Sequence, residues 1–528
     1  MVAQVGSSPH GDDVAPPEVV AALQRVLASD AFARSPRSRD FLAYVTSETL
    51  AGRAEQLSER TVARRALGRG DHFDGRDDAT VRVRGTRVRR SLAAYYEGEG
   101  VDDPVRIDVP PGGYVVTIRR HVPGPGPEVP ADASVAVVRF DTTGDESRGD
   151  LMATVLARQL AEFPGLRVVG PSRRHRAEPA EVARALGVRF VLQGAVDLDG
   201  PPSVALLLSD GRDGTVVWSV AETVDPASAR GLAALDTWAS AIAAQLGDYV
   251  GVMARRLEAT APADRPDVEA AGRLAFYRHI ASGIGASVQE ARIALDEALA
   301  AGSTAADVLA MHGFILGVCV RYGASQDADA DLRSAESSSR RALQIDPRSP
   351  LAYLGLAVVA AERRQFDLAR LHAARAADLA PAHPSTLFSA GALIAFSGDW
   401  PTGASLMRRS FDLNPLHPGY QHVNLALERL LARDPAAALA EASIADAGSG
   451  VFGPLCRALA LAQLGHDDDA RAEMRAALAI EPHVIDDVGL LFSDSLLAQE
   501  QYALLEELLD PFRPGGAADV AAEAGRAS

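Results

Sequence analysis

Four segments of this chain end alike, and their spacing constrains the fold more than any other feature. Gln344-Ile-Asp-Pro347, Asp378-Leu-Ala-Pro381, Asp412-Leu-Asn-Pro415 and Ala479-Ile-Glu-Pro482 place prolines 34, 34 and 67 residues apart, the last nearly two periods. A period of this length fits two helices and their turns, with each proline ending the second helix. Within the unit from Pro350 to Pro381, Leu356-Ala357 fall on the first helix and Ala369 and Ala376 on the second; Ala458, Ala470 and Ala477 do the same before Pro482. Antiparallel helices approach closely only over small side chains, so packing accounts for these alanines without a site. The unit before Pro347 carries an extra stretch, Ser325–Asp331, and the units around Met407 and Ile444 depart from the pattern.

This spacing resembles the tetratricopeptide (TPR) repeat. The resemblance implies an all-α TPR solenoid over 267–512, in which helix pairs stack into a superhelix whose concave face takes a protein or peptide partner. Residues 483–511 are expected to close it as a capping helix pair, and 513–528 to form a disordered tail.

The densest run of positive charge lies elsewhere, in Thr80-Val-Arg-Val-Arg-Gly-Thr-Arg-Val-Arg-Arg-Ser-Leu-Ala-Ala-Tyr-Tyr96. At 100° per residue, Val81, Gly85, Val88, Leu92, Tyr95 and Tyr96 share one helical face, while Arg82, Thr86, Arg87, Arg89 and Arg90 fall outside it. Behind it, Val105-Arg-Ile-Asp-Val109 and Tyr114-Val-Val-Thr-Ile118 flank the turn signal Pro110-Pro-Gly-Gly113 and predict a hairpin. Helices are expected from Pro17, over Arg39–Ala51 and over Glu59–Leu67.

Val81, Val83, Arg87, Val88, Arg89, Arg90 and Leu92, with Gly113-Tyr114 and the earlier Leu57-Ser-Glu-Arg60, resemble the winged helix-turn-helix of OmpR-type transcription regulators. Gly85 stands where that family usually has Ile, and Pro110-Pro111 where its wing carries Arg and Gly. The resemblance implies an α+β winged helix over 17–121 that binds double-stranded DNA. On that reading Arg82, Thr86 and Arg90, at i, i+4 and i+8, form a ridge that enters the major groove, and Arg87 and Arg89 flank it toward phosphates.

Charge distribution agrees with a separate basic module. The chain has net charge −17 and no Lys, yet residues 31–120 hold 17 Arg against 13 Asp and Glu, a net of +4. Residues 1–30 carry −3, which leaves −17 − 4 + 3 = −18 on residues 121–528. A basic module on an acidic body is expected where only the first part meets nucleic acid. Residues 1–16 read as a disordered lead, and Val122-Pro-Gly-Pro-Gly-Pro-Glu-Val-Pro130 as the core of a linker over 122–131.

Strand-like and helical runs then alternate: strands at Ser134–Phe140 and Leu166–Gly170, helices at Asp150–Phe163 and Pro179–Leu186, then strands at Arg189–Val196, Ser203–Leu208 and Thr215–Ser219. Leu166-Arg-Val-Val-Gly170, Leu186-Gly-Val-Arg-Phe-Val-Leu-Gln-Gly194 and Asp213-Gly-Thr-Val-Val-Trp218 resemble the TolB amino-terminal domain, which implies a small α/β binding or assembly module over 132–225. A long Ala-rich helical stretch over Pro226–Glu258 is expected to connect it, within 226–266, to the repeats. The fold class is therefore multidomain: winged helix, small α/β domain, all-α TPR solenoid.

Chemistry-bearing patterns are sparse. No G-x-x-x-x-G-K-[ST] occurs, and no cofactor or catalytic constellation is expected. His466-Asp-Asp-Asp469 reads as a helix-capping turn rather than a metal cluster, as does Asp71-His-Phe-Asp74, and His372, His383, His417 and His422 lack ligand spacing. Two cysteines, Cys319 and Cys456, give no disulfide framework. No run approaches about 18 apolar residues and the start lacks the pattern of a secretion signal. The sequence-level expectation is a cytoplasmic, non-enzymatic regulator binding DNA and a protein partner without membrane insertion. The alternative is a TPR adaptor or scaffold whose first domain does not bind DNA.

Overall fold

Proline at the first turn and a polar side chain just before it start many of the helices. The structure is a computed structural model that describes residues 14–33, 35–68, 80–97, 99–100, 103–110, 113–120, 133–143, 146–172, 178–197, 203–223, 232–260, 267–283, 287–445, 447–485 and 499–513. The expected linker over 122–131, the Asp71–Asp74 turn, and nearly all of the lead and tail lie outside them. Two units make up the chain, Met1–Glu128 and Val129–Ser528.

In the first unit, α1 (Pro16–Ala28), α2 (Asp30–Ala33), α3 (Pro36–Leu50), α4 (Glu59–Arg65) and α5 (Thr80–Glu97) precede β1 (Val105–Asp108) and β2 (Thr117–Arg120). Ser58 caps α4, its Oγ accepting the Thr61 amide at 3.2 Å. The strands pair antiparallel with Ile107 opposite Ile118, and both isoleucines join Phe32, Phe41, Leu42 and Val88 in one core. The second strand begins later than Tyr114. Tyr114 instead packs edge-on against Phe41, and the Val116 amide donates to Thr49 Oγ1 at 3.4 Å, which turns this segment toward α3. Buried Asp103 fixes the approach to β1 by accepting from Tyr95 Oη at 2.8 Å and from both Nε and Nη2 of Arg25 on α1.

The second unit opens on β3 (Ser134–Val138), β4 (Asp141–Thr143), α6 (Glu146–Ala161), β5 (Arg167–Ser172), α7 (Pro179–Leu186), β6 (Phe190–Asp197), β7 (Ser203–Asp210) and β8 (Val216–Thr223). They form a six-stranded sheet in the order β5-β3-β6-β7-β8, with β4 continuing past β3 alongside β6. Pairing is parallel from β5 through β6 and antiparallel beyond. Alternation along β3 explains why all five of its residues are buried. Val135 and Val137 face the layer of α6 and α8 (Leu232–Gly247), whereas Ala136 and Val138 face α7 through Val182 and Ala183. Gly187 ends α7 at φ +61°, a left-handed cap that costs glycine least.

The helical stretch expected over 226–258 divides, within the described residues, into two helices: α8, then α9 (Val252–Ala259) after a break at 248–251. The break frees buried Asp248, whose carboxylate accepts the Ser385 amide at 3.1 Å and Asn414 Nδ2 at 3.2 Å. Helices then pack in consecutive pairs: α10 (Val268–Ser282) with α11 (Ser287–Ala300), α12 (Ala306–Arg321) with α13 (Ala328–Ile345), and α14 (Pro350–Glu362) with α15 (Phe366–Leu379). The series continues with α16 (Pro384–Phe396) and α17 (Trp400–Leu413), α18 (His422–Leu431) and α19 (Pro435–Ile444), α20 (Phe452–Gln463) and α21 (Asp467–Ile480). Of the expected closing pair, Gln499–Leu509 is helical and residues 486–498 lie outside the described set. Ser349, Asp399 and Asp434 cap α14, α17 and α19, each with a proline in the first turn. Ala357, Ala369, Ala376, Ala458 and Ala477 are fully buried where the helices meet. Ser325 and Asp327 of the extra stretch serve α13: Asp327 caps it and Ser325 Oγ donates to Asp331 at 2.6 Å. The chain is thus an N-terminal mixed unit, a mixed sheet, and a C-terminal all-helical region.

Candidate functional site

Two places concentrate groups with unused chemistry, one in each unit. On α5, Val81, Val88, Leu92 and Tyr95 are buried, while Arg82, Thr86, Arg87 and Arg90 are exposed along the opposite face. Arg89 is half-buried: its Nη2 donates to Thr86 Oγ1 at 3.1 Å and its Nη1 to the Pro110 carbonyl at 3.4 Å, tying the helix to the hairpin. Arg82 stands 3.5 Å from Glu59 of α4, a pair of modest value because both groups meet water. Gly85 is buried, yet a methyl there would meet Phe41 and Tyr114 only at ordinary contact distance, so close approach does not require the glycine.

Arg84 extends this face in a way that the helical wheel does not reveal. It is half-buried between α5 and α3, with Nη1 3.4 Å from Ser38 Oγ and a buried Nε that makes no hydrogen bond. Burial, then repulsion from Arg87 and Arg37, holds its guanidinium below the ordinary value. Arg87 on α5 and Arg37 on α3 therefore place positive charge beside the half-buried Arg84, and an anion there would relieve the repulsion that Arg84 feels. Arg37 lies 47 residues before Arg84 and shares no periodicity with it.

In the second unit, a partly open cavity of about 160 Å³ is lined by the first helix of every pair. Its described lining comes from α10, α12, α14, α16, α18 and α20, from adjoining turns and from Leu505; none comes from α11, α13, α15, α17, α19 or α21. His279 on α10 lines it, 6% exposed, with Nδ1 3.3 Å from Ser287 Oγ. Burial pushes this imidazole down to about 4. Because that lies below the value of about 6.5 in the unfolded chain, the unfolded state takes the proton first as pH falls. His279 therefore supports the fold fully above about pH 6.5 and loses about 1.4 kcal/mol per pH unit from there toward 4. Urea unfolding followed by tryptophan fluorescence should show His279→Gln losing about 2 kcal/mol less than the parent between pH 7 and pH 5; equal losses would count against the assignment.

Three further histidines, His383, His417 and His422, are more engaged than their spacing predicts. His417 and His422 stand 2.9 Å apart ring nitrogen to ring nitrogen, and His422 Nδ1 is 2.6 Å from Glu441. His417 also stacks flat on Phe411 at 3.9 Å. His383 is buried against Asp248, Phe163 and Tyr249. Asp467, Asp468 and Asp469 occupy the first turn of α21, where carboxylates favour the helix dipole. Among the described residues, no group of three His, Cys, Asp or Glu side chains is placed to hold a metal ion, and no helix is long and apolar enough to cross a membrane. No protein-family model matches the chain, and no curated protein matches it.

Proposed function

We propose that this chain is a regulator that binds duplex DNA through its N-terminal unit, with the helix pairs of its C-terminal region serving as the part that takes a partner or signal. The observation carrying the reading is the exposed cationic face of α5, backed by a core on the other side and enlarged by Arg37 and Arg84. Five groups, Arg82, Thr86, Arg87, Arg89 and Arg90, are the residues assigned to DNA, with Arg82, Thr86 and Arg90 toward bases and the others toward phosphates. The helix order, the hairpin after α5 and the motif residues support reading the first unit as a winged helix. The sheet order supports the TolB-like reading, and the 34-residue proline spacing with paired helices supports the tetratricopeptide reading.

Fluorescence anisotropy of the full chain on duplexes at two salt concentrations tests this. Arg82→Ala and Arg90→Ala should each cost on the order of 1–3 kcal/mol and relax sequence preference. Arg87→Ala should weaken all sequences alike and lower the salt slope by about one unit. If Arg82→Ala with Arg90→Ala leaves affinity for every duplex unchanged, the adaptor reading replaces the regulator.

A further inference from the structure

The corner where α5 meets the start of α3 gathers positive charge with no negative charge to balance it. Arg84 turns from α5 toward α3, where its Nη1 lies 3.4 Å from Ser38 Oγ and 3.5 Å from Ser35 Oγ. Those two hydroxyls bond each other at 2.7 Å and Ser38 is fully buried, so the guanidinium lies beside a fixed pair of oxygens. Arg37 stands between the two serines in the first turn of α3. Arg87 follows Arg84 by three residues, the spacing that makes side chains neighbours on one helical face. Arg37 and Arg87 are both exposed, and among the described residues neither is paired with a carboxylate.

Arginines drawn inward elsewhere in the chain meet carboxylates: Arg273 has Asp307 at 2.6 Å, Arg292 has Asp331 at 2.7 Å and Arg321 has Glu362 at 3.1 Å. No carboxylate acts on Arg84; burial, Arg87 and Arg37 all oppose its charge. A half-buried guanidinium without a counter-ion costs stability, and a side chain this long could have reached water instead. The serines engage only Nη1, and Nη2, unlike Nε, is neither bonded nor sealed from solvent. A group with several charged oxygens suits such a place, because guanidinium donors on different side chains can each take one. Position narrows the source. At 100° per residue, Arg87 and then Arg84 follow Arg90 around α5, so the corner lies beside the ridge of Arg82, Thr86 and Arg90 rather than on it. A helix that enters a groove along that ridge brings such a flank against the phosphate backbone.

We infer that this corner seats one phosphate group, held by Arg84 together with Arg37 and Arg87; resting on the DNA reading above, that group is a backbone phosphate bordering the groove that α5 enters. Fluorescence anisotropy of the full chain at two salt concentrations should show Arg37→Gln and Arg84→Met each weakening every duplex about tenfold, lowering the salt slope by about one unit and leaving sequence preference intact. Arg53→Gln removes one charge from the same unit past the far end of α3, about 20 Å away, and should change affinity by about twofold or less. Hydrogen exchange read by mass spectrometry separates a phosphate seat from a packing role. Inorganic phosphate should slow exchange at the start of α3 relative to chloride at equal ionic strength in the parent, and not in Arg37→Gln. Exchange in α3 and α5 of Arg84→Met should be no faster than in the parent, since the variant keeps an apolar stem and removes an opposed charge. If Arg37→Gln and Arg84→Met bind duplexes as the parent does while Arg82→Ala loses affinity, the seat is overturned and the DNA reading stands. An equal loss in Arg53→Gln overturns the seat in favour of a general charge effect. If no duplex binds but phosphate still protects α3, the DNA reading fails and the seat takes a free phosphate. Absence of both effects overturns the seat.

Discussion

Asp210→Ala is expected to destabilise the second unit by about 3–5 kcal/mol, because it removes the counter-charge of a buried arginine. Asp210 is fully buried and Arg189 is 1% exposed; Arg189 Nη2 meets Asp210 Oδ2 at 2.6 Å. The same oxygen takes Nε of Arg256, from α9, at 2.8 Å, and Arg189 Nη2 also donates to Thr260 Oγ1 at 2.9 Å. This cluster ties the end of β7 to the entrance of β6 and to α9. Burial already pushes the Arg189 guanidinium below its ordinary value, with Asp210 opposing, so loss of the carboxylate leaves desolvation uncompensated. Arg256 suffers less, since it is partly solvated and retains Asp213 at 2.8 Å. The three tryptophans, Trp218, Trp238 and Trp400, all lie in this unit, so the urea midpoint by intrinsic fluorescence reports on it alone. Arg189→Leu with Asp210→Leu should recover most of the loss, because a buried pair exchanged for apolar side chains is often neutral. A single Asp210→Ala variant within about 0.5 kcal/mol of the parent would show that the pair does not matter to the fold.

How much of this was legible beforehand depends on how local each cause is. Helix α7 was predicted to the residue, because Pro179 opens it and Gly187 closes it in its own sequence. The repeated pairs were legible from proline spacing, and the buried face of α5 from its 3.6-residue period. Strand β4 was missed: Asp141-Thr-Thr143 has no apolar alternation and is a strand only because β6 continues beside it. The break between α8 and α9 was missed for a similar reason, since the partners of Asp248 lie 137 and 166 residues away. Gly247 and Gly251 were the available local hints. Of the cationic face, Arg82, Arg87, Arg89 and Arg90 of α5 were readable, but the place of Arg84 on the same helix was not, because its distinguishing neighbour Arg37 comes from α3. The cavity left no sequence signal at all. Each first helix contributes a few side chains, and these come together only when the helix pairs stack.

Val88→Asp and Val83→Asp place the same charge on the same helix five residues apart and should have opposite outcomes. Val88 is fully buried, whereas Val83 is 61% exposed. Aspartate at 88 forfeits apolar burial and brings a carboxyl into a core of Phe41, Leu42 and Ile107, a combined cost of roughly 5 kcal/mol, comparable to the whole stability of a unit this size. Aspartate at 83 stays in water and should shift stability by no more than about 0.5 kcal/mol. Far-UV circular dichroism of Val88→Asp should lose the helical signal of α1 to α5, while the tryptophan transition of the second unit keeps its midpoint. DNA affinity should vanish with that helix signal. In Arg90→Ala the affinity should fall with the helix signal intact, which separates a residue that builds the face from one that uses it. If Val83→Asp unfolds the unit as readily as Val88→Asp, the face assigned to DNA is a packed one and the cations on it have another purpose.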